Sequence, residues 1–388
     1  MVETDSARRL AAMAWTRLAE GEDVYATRLV DDLGYEKALD WLKEIQAGAP
    51  VRGEMRVQAE RWAGRLDSGA FERDARLASR LGGFLMPGDR NWPESLMDLD
   101  DKRPLGLWYH GDPEVLRRLS VSIVGSRDAT QYGKRIATDF AYELAEAGVA
   151  VVSGGAFGID TAAHRGALSA GSQTVVVLAG GVDRPYPKQN AGLFGEILAA
   201  GGVLVSESPP GAQPLRHRFL SRNRIIAALG LATIVVEAPY RSGAISTARH
   251  ALEIGRDVGA VPGPVSSPRS AGCHRLLRES AICVTSSNDV AELLGFDIIE
   301  AATREGSKRG TQASRQLTLE LDDPLAGHPL AVRIRDALPV HSPCTVQKIA
   351  ATAGVSVAEA IRGLGLLEME GIAQNLREGW RLAARARR

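Results

Sequence analysis

The chain has 388 residues, enough for two or three domains, and its 47 Lys+Arg balance 47 Asp+Glu to a formal net charge of zero. That balance excludes a global pull towards polyanions, so any nucleic-acid affinity must come from local clusters. Three widely spaced cysteines, Cys273, Cys283 and Cys344, form no CxxC pair, which argues against a zinc site or a disulfide framework and fits a reducing cytoplasm. The N-terminus lacks the apolar core of a signal peptide. No apolar run approaches the roughly 20 residues of a bilayer span, so a soluble cytoplasmic protein with no membrane contact is expected.

Residues 1–85 read as an N-terminal helical domain. Apolar residues recur at helical spacing over Ser6–Ala19, Ala26–Leu33, Tyr35–Ala47 and Gly53–Leu81, with no strand signal. Residues 86–112 carry Pro87, Trp92, Pro93, Pro104 and Trp108 and read as an irregular, aromatic-rich lead into the main domain. From Val121, short β-branched runs alternate with helical segments. Strands are expected at Val121–Val124, Val149–Val152, Thr174–Leu178, Val203–Val205, Thr233–Val236 and Val258–Val261, with a further one at Ile282–Thr285. Helices are expected at Gly133–Glu146, Thr161–Ala170, Ala191–Ala200, Ser221–Leu229 and Ser246–Ile254. This alternation predicts an α/β fold, a doubly wound and mostly parallel sheet buried on both faces. Residues 299–328 read as a polar linker. Residues 329–388 then give a helix near Thr345–Ala350, a turn at Gly354-Val355-Ser356, a helix over Val357–Met369 and a hairpin over Ile372–Leu382. That is the order of a winged helix-turn-helix, with Arg381, Arg385, Arg387 and Arg388 in its tail.

Ligands of open α/β sheets collect beyond the carboxyl ends of the strands, and those ends are rich in small and hydroxyl residues here. Gly125-Ser126-Arg127 follows the first strand, Gly155 lies in the loop after the second, and Ser242-Gly243 follows the fifth. Glycines let a phosphate approach the backbone, and amides at a helix start bind anions. The densest cluster is Arg216, His217, Arg218, Phe219, Arg222, Asn223 and Arg224, with five guanidinium or imidazole groups within nine residues. Arginine forks suit phosphates and a phenyl ring suits a stacked base; the competing reading is a solvated basic helix start. Neither GxGxxG nor GxxxxGK[ST] is present, so neither a dinucleotide enzyme nor a P-loop NTPase is supported. Asp160 and His164 stand one helical turn apart and offer either an acid–base pair or, as the favoured reading, a helix cap at Asp160 with His164 packing or hydrogen-bonding locally. No set of His, Cys and carboxylates has metal-ligand spacing, and no catalytic constellation is evident.

Taken in order, IVGSRDATQYG, SGGAFGIDTAAHRGAL, GGVDRPYPKQN, SESPPG, FLSRNRIIAALG, VVEAPYRSGAISTARHA and AVPGPVSSPRSAGCHRLL resemble the DNA-processing protein A (DprA/Smf) family over about residues 86–295. The resemblance implies an extended Rossmann-like domain over 86–298 that binds single-stranded DNA and dimerises. It implies a recombination mediator that protects incoming strands and loads the RecA recombinase during natural transformation, without catalysis or a cofactor. By the same resemblance, Arg127, Phe219, Asn223 and Arg224 match the DNA pocket, Arg216 falls at a basic position before the phenylalanine, and Lys188 lies in the YPxxN loop. Leu220 stands where the family commonly has proline, and His274 where it commonly has asparagine. The N-terminal helices resemble a helix-hairpin-helix or SAM-like module. The rival is a nucleotide-processing enzyme similar to phosphoribohydrolases of the same Rossmann-like group. Their PGGxGTxxE signature is replaced here by SGGAFGIDTAAH. A third reading, a transcription regulator, is disfavoured because Val357–Met369 carries Arg362 as its only cation.

Overall fold

The computed structural model describes residues 2–51, 53–295, 329–339, 343–369, 372–376 and 379–383. They fall in two compact units, Met1–Gly310 and Thr311–Arg388. The expected linker at 299–328 and Arg385, Arg387 and Arg388 lie outside the described residues. Among the described residues, no single helix is long and apolar enough to cross a membrane.

The first unit is built on a nine-stranded sheet of order β1-β2-β6-β5-β4-β3-β7-β8-β9. Its strands are β1 (Gly82–Leu85), β2 (Leu107–Gly111), β3 (Ser120–Val124), β4 (Ala150–Ser153), β5 (Thr174–Val177), β6 (Val203–Ser206), β7 (Ala232–Val235), β8 (Asp257–Ala260) and β9 (Ile282–Cys283). β3 to β9 pair in parallel, as the β-branched runs predict. β2 adds antiparallel to β6 and β1 antiparallel to β2, which corrects the expectation of helix and irregular chain there. Gly82-Gly83 and the surrounding prolines hide these two strands, because β2 forms by pairing with β6 and β1 by pairing with β2 rather than from local propensity.

The pleat assigns the two faces. On β3, Val121 and Ile123 pack against α6 (Gln131–Glu146) and α7 (Ile159–Ser169). Val124 faces the layer of α9 (Arg216–Leu229) and α10 (Gly243–Glu253), and the Ser122 hydroxyl donates to the Ile226 carbonyl at 2.6 Å. α8 (Ala191–Ala199) covers β5 and β6 from the α7 side. α11 (Ala271–Glu279) and α12 (Ser287–Leu293) close the β8–β9 edge.

The N-terminal helices are α1 (Val2–Leu18), α2 (Val24–Leu33), α3 (Tyr35–Gln46), α4 (Met55–Ala63) and α5 (Ser68–Leu81). The single helix expected over 53–81 breaks in two because Asp67 caps α5, accepting from the Ala70 amide. Trp15, Leu18, Leu42 and Trp62 share one hydrophobic cluster with Val176, Leu178 and Leu204 of the sheet region. Glu20, in the turn after α1, receives Arg218 of α9 at 2.9 and 3.0 Å and Arg65 at 3.3 Å. Burial would raise the Glu20 pKa, but hydrogen bonds and charge from Arg218, with help from His217 and Arg65, hold it down to about 2.

The second unit is described by itself. It runs α13 (Pro329–Asp336), α14 (Val346–Ala353), α15 (Val357–Met369) and the hairpin β10 (Ala373–Leu376) with β11 (Gly379–Leu382). α14 and α15 cross at 101°. Gly354, at φ +64°, takes the left-handed position that ends α14.

Candidate functional site

The parallel strands leave β3 in both directions, through β4 to β6 on one side and through β7 to β9 on the other. The crevice at that reversal is where open α/β sheets place ligands. A cavity of about 510 Å³ opens there. The loop after β3, the start of α7, one face of α9 and the start of α10 form its walls.

The loop after β3 is fixed by backbone bonds. The Ser126 amide donates to the Glu237 carbonyl at 2.6 Å, and the Ile159 amide donates to the Ser126 carbonyl at 3.1 Å. Gly158, at φ +78°, allows this approach, since a Cβ there would strike the Ser126 and Arg127 carbonyls. Arg127 is thereby held exposed at the rim, its guanidinium carbon 5.1 Å from the Phe219 ring centroid. Tyr186 meets the same ring edge-on at 5.8 Å between centroids.

α9 begins at Arg216, five residues before the expected start at Ser221, so the cationic cluster is helical throughout. Helical spacing sets Arg218 opposite the Arg216 and Phe219 face, and side-chain partners sort the rest. Arg216, Phe219, Leu220, Arg222 and Asn223 line the cavity. Arg218 and Arg224 point elsewhere and are corrections to the expected site. Arg218 binds Glu20. Arg224 is fully buried, gripping both Glu207 oxygens at 2.8 and 2.6 Å and donating to the Lys102 carbonyl at 2.6 Å. Both arginines are claimed by acids distant in sequence. Leu220 continues the helix and is half exposed. Asn223 braces the opposite wall, donating to the Gly243 carbonyl at 3.1 Å. Ser242 caps α10, accepting from the Ala244 amide at 3.3 Å, so a helix start faces the cavity.

Two further expected residues are not brought in. Gly155 lies behind the wall, where a Cβ would meet Phe194 and Val176. Lys188 is exposed outside the lining, and its loop reaches the site through Tyr186 instead. Conversely, the sequence reading missed Asp160, Arg241 and Tyr186. Arg241 sits between two segments that were read correctly, so its place at a strand end was an available signal. Asp160 was read as a cap, but Gly158 holds that position. The Asp160 carboxylate instead accepts from the Ala156 amide at 3.2 Å and lies beside the Arg222 guanidinium.

Arg222 is nearly fully buried on the cavity wall. Its Nη1 donates to the Gly154 carbonyl at 3.0 Å and also to that of Val177, while its Nε has no partner among the described residues. Burial lowers its pKa to about 10, opposed by Asp160, so it stays cationic at neutral pH. Burial raises the Asp160 pKa, opposed by the Arg222 charge. Around this braced pair stand Arg127, Arg216 and Arg241, none in an ion pair among the described residues. The chain is neutral as a whole, yet this cavity is locally cationic.

His164 forms no acid–base pair with Asp160. It is fully buried, with Nδ1 2.9 Å from the Thr174 hydroxyl, which itself donates to the Val151 carbonyl at 2.6 Å. Nδ1 therefore carries the proton and Nε2 is left without a partner. Burial pushes the imidazole down to about 3. A native pKa below the unfolded value of about 6.5 means that only the unfolded chain takes up this proton as pH falls. Stability should drop from about pH 6.5 towards 3 on this account, and His164→Asn should flatten that limb in urea unfolding. Equal slopes for both proteins would contradict it. Among the described residues, no group of three His, Cys, Asp or Glu is placed to hold a metal.

Residues 83–295 match the family model described as DNA recombination-mediator protein A. A Mycobacterium tuberculosis relative bearing the name DNA processing protein DprA is 39% identical over 394 residues, covering 96% of this chain and 94% of its own. The protein Smf of Escherichia coli is 40% identical, covering 73% of this chain and 75% of its own. The X-ray structure of DNA processing protein A from Streptococcus pneumoniae superposes with a TM-score of 0.61 at 33% identity, covering 73% of this chain and 96% of that one.

Proposed function

The chain belongs to the DNA recombination-mediator protein A family, and on that premise we propose that it binds single-stranded DNA in the cavity at the sheet reversal. The observation that carries this reading is the Arg127–Phe219 pair at the rim, beside Arg216 and Arg241, which form no ion pair among the described residues. Phosphates would lie against Arg127, Arg216, Arg241 and the start of α10. A base would stack on Phe219, whose ring is steadied by Tyr186. Stacking tolerates any base but needs it unpaired, so single strands should be preferred over duplex. Asp160 and Arg222 would hold the wall rather than contact chemistry, which favours a binding mediator over a nucleotide-cleaving enzyme.

Loading of a RecA-type recombinase, dimerisation through the α/β domain and action on incoming strands in the cytoplasm complete the proposal, and they rest on family resemblance. For the C-terminal unit we propose a winged helix. The three-residue turn and 101° crossing of α14 and α15 support a helix-turn-helix, and the hairpin supports a wing.

Arg127→Ala should weaken binding of a labelled oligothymidylate by about 1.5 kcal/mol, a low figure for bonds to a charged group. It should also reduce the log–log salt slope by about 0.7, one phosphate's share on a single strand. Unchanged affinity and slope across the salt series would remove Arg127 from the site.

A further inference from the structure

Beside the main cavity a second basic groove runs over the start of α10, and we propose that it carries the same single strand onward, with Tyr240 as a second stacking surface. This inference rests on the main cavity being a single-strand site. The groove, about 590 Å³, is lined by Tyr240, Arg241, Ser246, Arg249, His250 and Arg275, among others. It shares Leu220, Arg241, Ser242 and Gly243 with the main cavity, so the two adjoin.

The groove repeats the chemistry of the first site. The Arg275 guanidinium carbon stands 5.2 Å from the Tyr240 ring centroid, as Arg127 stands 5.1 Å from that of Phe219. Glu279 holds Arg275 in place at 2.7 Å. Tyr240 is 57% exposed, so the fold gains little from its ring by burial, and the ring presents a face to solvent. Arg241 and Arg249 are exposed and have no ion pair among the described residues. The acid on the lining, Glu253, is engaged by Lys102 and His250, each at 3.4 Å. An aromatic ring edged by the Arg275 guanidinium, in a groove that also holds the unpaired Arg241 and Arg249 and adjoins the start of α10, suits a following nucleotide of a strand whose neighbour stacks on Phe219.

The test is fluorescence anisotropy of the full chain with labelled oligothymidylates of about six and about sixteen nucleotides, spanning the usual range of single-strand sites. Wild type, Tyr240→Ala, Tyr240→Phe and Arg127→Ala are compared. Tyr240→Ala should weaken the long oligomer by roughly 5- to 150-fold, the worth of one stacked base. It should leave the short one within about twofold, and Tyr240→Phe should bind both as wild type does. If Tyr240→Ala binds the long oligomer normally while Arg127→Ala loses both, the groove is off the track and the cavity reading stands. Equal loss on both lengths would place Tyr240 in the first site and overturn the proposal, as would a Tyr240→Phe variant no better than alanine. Normal binding by both Tyr240→Ala and Arg127→Ala would sink the cavity reading itself.

Discussion

Arg224→Ala should lower the unfolding free energy by about 3–5 kcal/mol, the usual cost of stranding one member of a buried ion pair. Arg224 is fully enclosed and satisfies Glu207 with two bonds, while its Nε and Nη1 also serve the Lys102 and Ser221 carbonyls. Removing it leaves the Glu207 carboxylate, 13% exposed, without its counter-charge. Arg224→Met with Glu207→Gln should recover much of the loss, because no unpaired charge then remains. Urea unfolding of Arg224→Ala and of the double variant measures this directly. A single Arg224→Ala variant within about 0.5 kcal/mol of wild type, the scatter of ordinary surface substitutions, would contradict the structural role. Any fall in DNA binding by Arg224→Ala should track unfolding rather than a lost contact.

Phe219→Ala should cost about 1–3 kcal/mol of single-strand affinity, the range for one base–aromatic stack. The ring is partly exposed at the rim, so the melting temperature should move little. Phe219→Tyr keeps the π-face and should retain most of the affinity. The loss should be similar for thymidine and adenine oligomers, because every base has a face to stack. A Phe219→Ala variant that binds as wild type in an anisotropy titration would put the base elsewhere.

The parallel sheet was legible because buried strands read as Val/Ile runs between helical periods, and each run from Val121 to Val261 overlaps an observed strand. β1 and β2 were not, since LWYHG becomes a strand only by pairing with β6 and GGFL only by pairing with LWYHG. At the site, the small residues after β3 and β7 and the cluster of α9 were visible as residue types. Their sorting was not, because the helix was read from Ser221. Started at Arg216, the same 3.6-residue period brings Phe219, Leu220 and Asn223 to the Arg216 face and turns Arg218 away, while Arg224 is drawn off by Glu207. Nothing local announces that Glu20 and Glu207 will take those two arginines, because both pairs are made only by tertiary packing. Gly155 and Lys188 were chosen for loop position, and the loops bend them behind and outside the cavity.

The most direct test of the central claim is a competition experiment on the full chain. A labelled oligothymidylate is bound to the protein and challenged with unlabelled single strand or with duplex of equal length across a salt series. Preferential displacement by the single strand is expected, with a log–log slope of about −0.7 per phosphate neutralised. Displacement by duplex at equal or lower concentration would contradict a stacking cavity and shift binding to the C-terminal unit.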